Sequence, residues 1–149
     1  MKILAVEDDA VSRAVLRQAL LKLGHDVRQA SDGEEAWTIL QQEPVRVVVS
    51  DWSMPQMDGL SLCRKIRAMV GAEYTYFILL TARDATGENQ QAAADAGVDD
   101  FLTKPLDFDE LWNRLRVADL GGAEPGLLAA WMAGGVPVEE SFHFPGGLK

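Results

Sequence analysis

The sequence predicts an α/β fold in which five parallel strands form one doubly wound sheet with helices on both faces. Two observations carry this. Short apolar runs alternate with helix-period segments five times between residues 3 and 118. The helical segments are also long enough to return the chain for another parallel strand, and such crossovers are almost always right-handed.

The elements follow in order. Residues 3–6 form a short buried strand. From Val11 to Leu23, Val11, Val15, Ala19 and Leu23 recur every four residues, which predicts a helix with that stripe as its apolar face. Gly24 supplies its C-terminal stop. Residues 27–30 make a weaker second strand. Asp32, with Glu35 three positions on, has the form of a helix cap, and the helix runs to about Gln42 before Pro44 ends it. Residues 45–49 are rich in β-branched side chains and give the clearest strand. A helix from Gly59 to about Met69 follows, then a strand over 76–80. An Ala-rich helix stops at Gly97, and Ala92, Ala93, Ala94 and Ala96 give it a small-sided surface suited to close packing with a partner. Residues 101–103 are the fifth strand. Asp107 with Glu110 repeats the capping pattern and opens a last helix to about Ala118.

The chain has 149 residues and nearly half are apolar, enough for one domain with a modest extension. Its net charge of -9 argues against direct nucleic-acid binding and against an anionic membrane surface. No apolar stretch approaches the ~20 residues of a spanning helix, and no signal-peptide pattern opens the chain. A cytoplasmic location is the default expectation. Cys63 is the single cysteine, so neither an intramolecular disulfide nor a cysteine metal site is available; it reads as a packed helix residue. From about Asp119 the composition changes: Pro and Gly make up about a third of residues 119–149, as in a linker or irregular extension. Within it, residues 127–133 form a short apolar patch holding Trp131. This division gives a domain over 1–118 and a tail over 119–149, with an output domain beyond it as one option. His25 and His143 carry no ligand or phosphocarrier signal.

In a sheet of this kind the site lies beyond the carboxyl ends of the strands, where strand order reverses. Glu7, Asp8 and Asp9 follow the first strand, Asp51 the third, Thr81 the fourth, and Lys104-Pro105 the fifth. Adjacent strands lie ~4.8 Å apart, so these groups converge. Carboxylates within ~4–6 Å raise one another's pKa. A hard divalent cation such as Mg²⁺ relieves this, and it also lets an anionic phosphoryl donor approach an anionic nucleophile. A carboxylate that attacks phosphorus gives an acyl phosphate. Lys104 and the Thr81 hydroxyl can hold oxygens the metal does not.

Residues 3–8, 51–59 (DWSMPQMDG), 80–82 and 101–105 resemble the response-regulator receiver family, in order and spacing, across residues 2 to about 118. The resemblance implies a flavodoxin-like sheet and a set of roles. Asp51 matches the phosphoacceptor and Asp8 the direct Mg²⁺ ligand. Glu7 matches the second acidic position, and the backbone carbonyl of Ser53 the main-chain metal ligand. Lys104 matches the lysine that pairs with the acyl phosphate, joined to Pro105 by a cis bond. Thr81 matches the switch hydroxyl and Phe101 the switch aromatic that turns inward on activation. Asp9 falls outside the acid pair and reads as a helix cap. Trp52 either packs or modulates access to the crevice.

The implied function is phosphorelay signalling. The donor is a sensor histidine kinase or phosphotransfer protein. The recipient is an effector protein or output domain, and a homodimer is compatible with it. The switching face is the fourth helix, fifth strand and fifth helix. The chain is then not an enzyme in the usual sense. A haloacid-dehalogenase-type enzyme also forms an aspartyl phosphate, but wants Asp two residues after its nucleophile, where Ser53 stands here. A receiver fold used for phosphorylation-independent docking is the alternative; the complete set of acids with Thr81 and Lys104 argues against it.

Overall fold

The computed structural model describes residues 1–69, 71, 73–82 and 86–119. The tail assignments for 120–149, with Trp131 and His143, lie outside the described residues. The elements are β1 (Lys2–Val6), α1 (Ala10–Lys22), β2 (Asp26–Ala30), α2 (Gly33–Gln42), β3 (Val47–Asp51), α3 (Gly59–Arg67), β4 (Tyr76–Thr81), α4 (Gly87–Ala96), β5 (Asp100–Thr103) and α5 (Phe108–Asp119). The five strands form one sheet in the order β2-β1-β3-β4-β5, every pair parallel. The order reverses between β1 and β3, which opens a crevice above their carboxyl ends.

The continuous apolar runs are explained by burial on both faces. Successive strand residues point to opposite sides. Leu4, Val6, Val48, Phe77, Leu79 and Phe101 enter the core shared with α2, α3 and α4. Ile3, Ala5, Val49, Ile78, Leu80 and Leu102 enter the core shared with α1 and α5. No helix of the described residues is long and apolar enough to cross a membrane.

The helix ends are local chemistry. Asp9, Asp32 and Asp58 cap α1, α2 and α3 through bonds to the backbone N–H groups of Ser12, Glu35 and Ser61. Gly24 and Gly97, at φ 90° and 95°, end α1 and α4. In each case the following two N–H groups fold back onto the last turn: Gly24 to Leu21 and His25 to Leu20, Gly97 to Ala94 and Val98 to Ala93. A side chain at either glycine would be strained in this left-handed region.

Three readings change. The buried face of α1 is Leu16, Ala19 and Leu20, whereas Val11 and Val15 are 72% and 48% exposed. Of the predicted stripe, Ala19 is buried and Leu23 packs against the same core, while the first two turns bury Leu16 in place of Val11 and Val15. The third strand starts two residues later than the apolar run and extends through Asp51, which pairs with Leu80. Val45 is still buried, because apolar pattern reports burial rather than ladder limits. The alanines of α4 are spent inward: Ala93 and Ala96 are buried, and Ala92 and Ala94 pack against the same core.

Candidate functional site

The crevice collects residues from four strand ends. Glu7 follows β1, and its N–H donates to the Ala30 carbonyl of β2 at 3.1 Å. Glu7 is buried and Asp8 is exposed. Asp51 closes β3; its side chain is 11% exposed. Oxygen atoms of Glu7, Asp8 and Asp51 all lie within 4.8 Å of one another.

Lys104 enters from the end of β5. Its N–H donates to the Thr81 carbonyl at 2.7 Å, tying the β4 and β5 ends together. Its ammonium lies 2.8 Å from Glu7 Oε2 and 3.6 Å from Asp51 Oδ1. The Lys104–Pro105 bond is cis, as the resemblance implied. Thr81 is buried beside them.

Burial is the largest influence on Glu7 and pushes its carboxyl up, with the nearby Asp51 charge adding to it; Lys104 only partly offsets both. Desolvation pulls the Lys104 ammonium down, but its bond to Glu7 and the fields of Asp51 and Glu7 together outweigh that and raise it. Lys104 therefore stays charged.

The pocket fits a small hard cation. Glu7 Oε1 is buried and accepts no hydrogen bond, and Glu7 belongs to the cluster with Asp8 and Asp51. An all-oxygen donor set of this charge suits Mg²⁺. Ser53 is exposed in the loop just after Asp51.

Phe101 and Trp52 are both buried and meet edge to face, ring centroids 6.1 Å apart. Packing is thus the role observed for Trp52. Asp9 is a cap, as expected; the Ser12 N–H bond holds its carboxyl below the usual range. Cys63 is buried, and desolvation pushes its thiol up to about 12, leaving it unreactive.

Three contributors escaped the sequence reading. Arg13 donates from Nη1 to the Glu7 carbonyl at 2.7 Å. Gly59 packs so close that a Cβ there would lie 2.5 Å from the Asp51 carbonyl oxygen. Gln56 holds φ 70°. The glycine was legible as a helix start; its contact with the acceptor strand was not.

The family profile of the response regulator receiver domain matches residues 3–116. The chain belongs to that family. As a receiver domain of two-component signalling it is 39% identical over 132 residues to a chemotaxis protein CheY homolog of Campylobacter jejuni, covering 87% of this chain and 99% of that one. It is 40% identical over 116 residues to the response regulator MprA of Mycobacterium leprae, covering 78% of this chain. There the receiver domain spans about half the relative's length, 50%. Among solved structures it is similar to the receiver domain of sensor histidine kinase PA1611 from Pseudomonas aeruginosa PAO1, which has a magnesium ion coordinated in its active-site cleft. That likeness has a TM-score of 0.69 at 31% identity and covers 80% of this chain and 94% of the other.

Proposed function

We propose that Asp51 accepts a phosphoryl group from a sensor histidine kinase or phosphotransfer protein, with Mg²⁺ held by Glu7, Asp8, Asp51 and the Ser53 carbonyl. The observation that carries this reading is the convergence of three carboxylates with one ammonium at the strand-order reversal. The magnesium-bound PA1611 receiver domain supports it by likeness. Bound Mg²⁺ supplies positive charge to the phosphoryl oxygens and to the acceptor.

The chain's own residues do the rest. An Asp51 carboxylate oxygen attacks phosphorus, a P–O bond forms, and the bond from phosphorus to the donor nitrogen breaks, its electron pair leaving with the imidazole. Lys104, now bonded to Glu7, is within reach of a new phosphoryl oxygen on Asp51. Thr81 closes on the phosphoryl group from β4. Phe101 stands inward in this structure, against Trp52. Phosphorylation stabilises that inward arrangement and biases the face of α4, β5 and α5 toward an effector or output domain, as a population shift.

The donor docks on α1. Val11 and Val15 are exposed and border a cavity of about 180 Å³ that also takes in Glu7, Lys104, Pro105 and Leu106. An amphipathic partner helix carrying a phosphohistidine would cover these apolar groups while presenting the phosphoryl group to Asp51.

Intact-mass measurement after incubation with acetyl phosphate and Mg²⁺ tests the reading. One phosphoryl adduct on the wild type, and none on Asp51→Asn, is expected. An adduct that survives Asp51→Asn refutes the assignment of the acceptor. No adduct on the wild type from either acetyl phosphate or a phosphorylated donor favours phosphorylation-independent docking.

A further inference from the structure

The segment from Asp51 to Gly59 carries the acceptor at one end and Ser53 just beyond it. It is pinned at both ends. The Trp52 N–H donates to the Leu80 carbonyl at 3.0 Å, and the Gly59 N–H to the Trp52 carbonyl at 2.8 Å. Between these points the chain turns tightly: the Met57 N–H donates to the Pro55 carbonyl at 2.8 Å around Gln56 at φ 70°. A turn of this form about a side chain larger than glycine is strained, and it persists only where the surroundings fix it.

The first residue of α2 supplies that constraint. A Cβ on Gly33 would lie 2.7 Å from the Met57 carbonyl oxygen, 2.9 Å from its Cβ and 3.0 Å from its Cγ. A backbone oxygen cannot swing aside as a side-chain tip can. Gly33 is itself held. The Asp32 carboxylate accepts the Glu35 N–H at 2.7 Å, and Glu35 Oε1 accepts the Ser31 N–H at 2.7 Å and the Ser31 hydroxyl at 2.9 Å.

We infer that Gly33 is a positioning residue: the start of α2 is a backstop for the loop through Met57, and it sets where the Ser53 carbonyl stands relative to Glu7, Asp8 and Asp51. The inference rests on the reading of the acidic pocket as a Mg²⁺ site. A side chain at position 33 is relieved only if the loop moves or the start of α2 withdraws. At the far end of the loop Gly59 is already packed against the Asp51 carbonyl, so little of the shift can be taken up there. The displacement therefore runs back toward Ser53. The effect reaches metal affinity through the Ser53 carbonyl, the ligand that the loop itself carries.

Calorimetric titration of the full chain with Mg²⁺ tests this, on the wild type, Gly33→Ala and Asp32→Ala, with thermal melts in chelator. Gly33→Ala is expected to weaken Mg²⁺ binding about tenfold, the low end for groups that orient a ligand. Asp32→Ala loosens the start of α2 without adding a Cβ and gives a smaller loss in the same direction. Unchanged affinity with a lowered melting temperature would mean a purely structural contact and overturn the proposal. If Gly33→Ala does not fold, Asp32→Ala decides: unchanged affinity there overturns it equally. A wild type that binds no Mg²⁺ sinks the pocket reading instead, and this inference with it.

Discussion

Gly59 shows how one missing side chain shapes the site. Its N–H holds the Trp52 carbonyl while its Cα lies against the carbonyl of Asp51. Gly59→Ala forces the β3 end and α3 apart. A loss of about 1–3 kcal/mol is expected, as for other overpacked positions, measurable by urea denaturation, together with slower phosphorylation of Asp51. His25 works differently. It is half-buried, with Nδ1 3.3 Å from the Met1 ammonium. Desolvation first, then that ammonium, holds its pKa below the ordinary 6.5. The unfolded chain therefore takes up a proton as pH falls through 6.5, while the folded chain resists until lower pH. Stability contributed at neutral pH is lost across that interval. Denaturation curves of His25→Gln between pH 7 and 5 should show a shallower decline than the wild type; parallel curves would remove His25 as the cause.

At the scale of elements, buried ion pairs join helices to the sheet. Asp100 of β5 is 2% exposed, and Arg114 of α5 reaches it with Nε at 3.0 Å. Asp100 also accepts the Phe101 N–H and faces the Tyr76 hydroxyl at 3.4 Å. Arg114→Met removes the cation beside a buried carboxylate, which costs about 3–5 kcal/mol. Adding Asp100→Asn should return most of that in the same melts, since the charge is then gone. Asp99, next in sequence, turns the other way to Arg67 of α3 at 2.8 Å. Neither pairing could be read from a Val-Asp-Asp-Phe stretch, which looks like the polar edge of a turn. The arginines lie 14 and 32 positions away along the chain. Caps and stops were legible, because Asp32 with Glu35 and the glycines after α1 and α4 act within a few residues. The face of α1 was legible only in part: Val11 and Val15 are as apolar as Leu16 and Leu20, and only the position of the sheet chooses between them.

For the whole molecule, the proposed Mg²⁺ site predicts that folding stability depends on metal. Repulsion among Glu7, Asp8 and Asp51 is present only when the fold brings them together. Under the proposed reading, Mg²⁺ at a hundred times its Kd stabilises the native state by ~2.7 kcal/mol. For a chain of this size that corresponds to a rise in melting temperature of roughly 5–10 °C. Scanning calorimetry with Mg²⁺ and with chelator checks it, and the difference should shrink in Asp8→Asn. A rise of equal size in that variant would place the ion elsewhere.

The sequence by itself determined the α/β succession, the order of the elements, most caps and the list of chemical groups at the strand ends. These depend on period, turn chemistry and short-range hydrogen bonds, which a linear pattern carries. The family resemblance rests on the same strand-end residues. Tertiary structure alone decided that Lys104 pairs more closely with Glu7 than with Asp51, and that Phe101 packs inward on Trp52. It alone set Gly33 against Met57 and Gly59 against Asp51. Those contacts are set by how separate elements pack, at distances where a fraction of an ångström sets the sign of the interaction, and no local pattern records them.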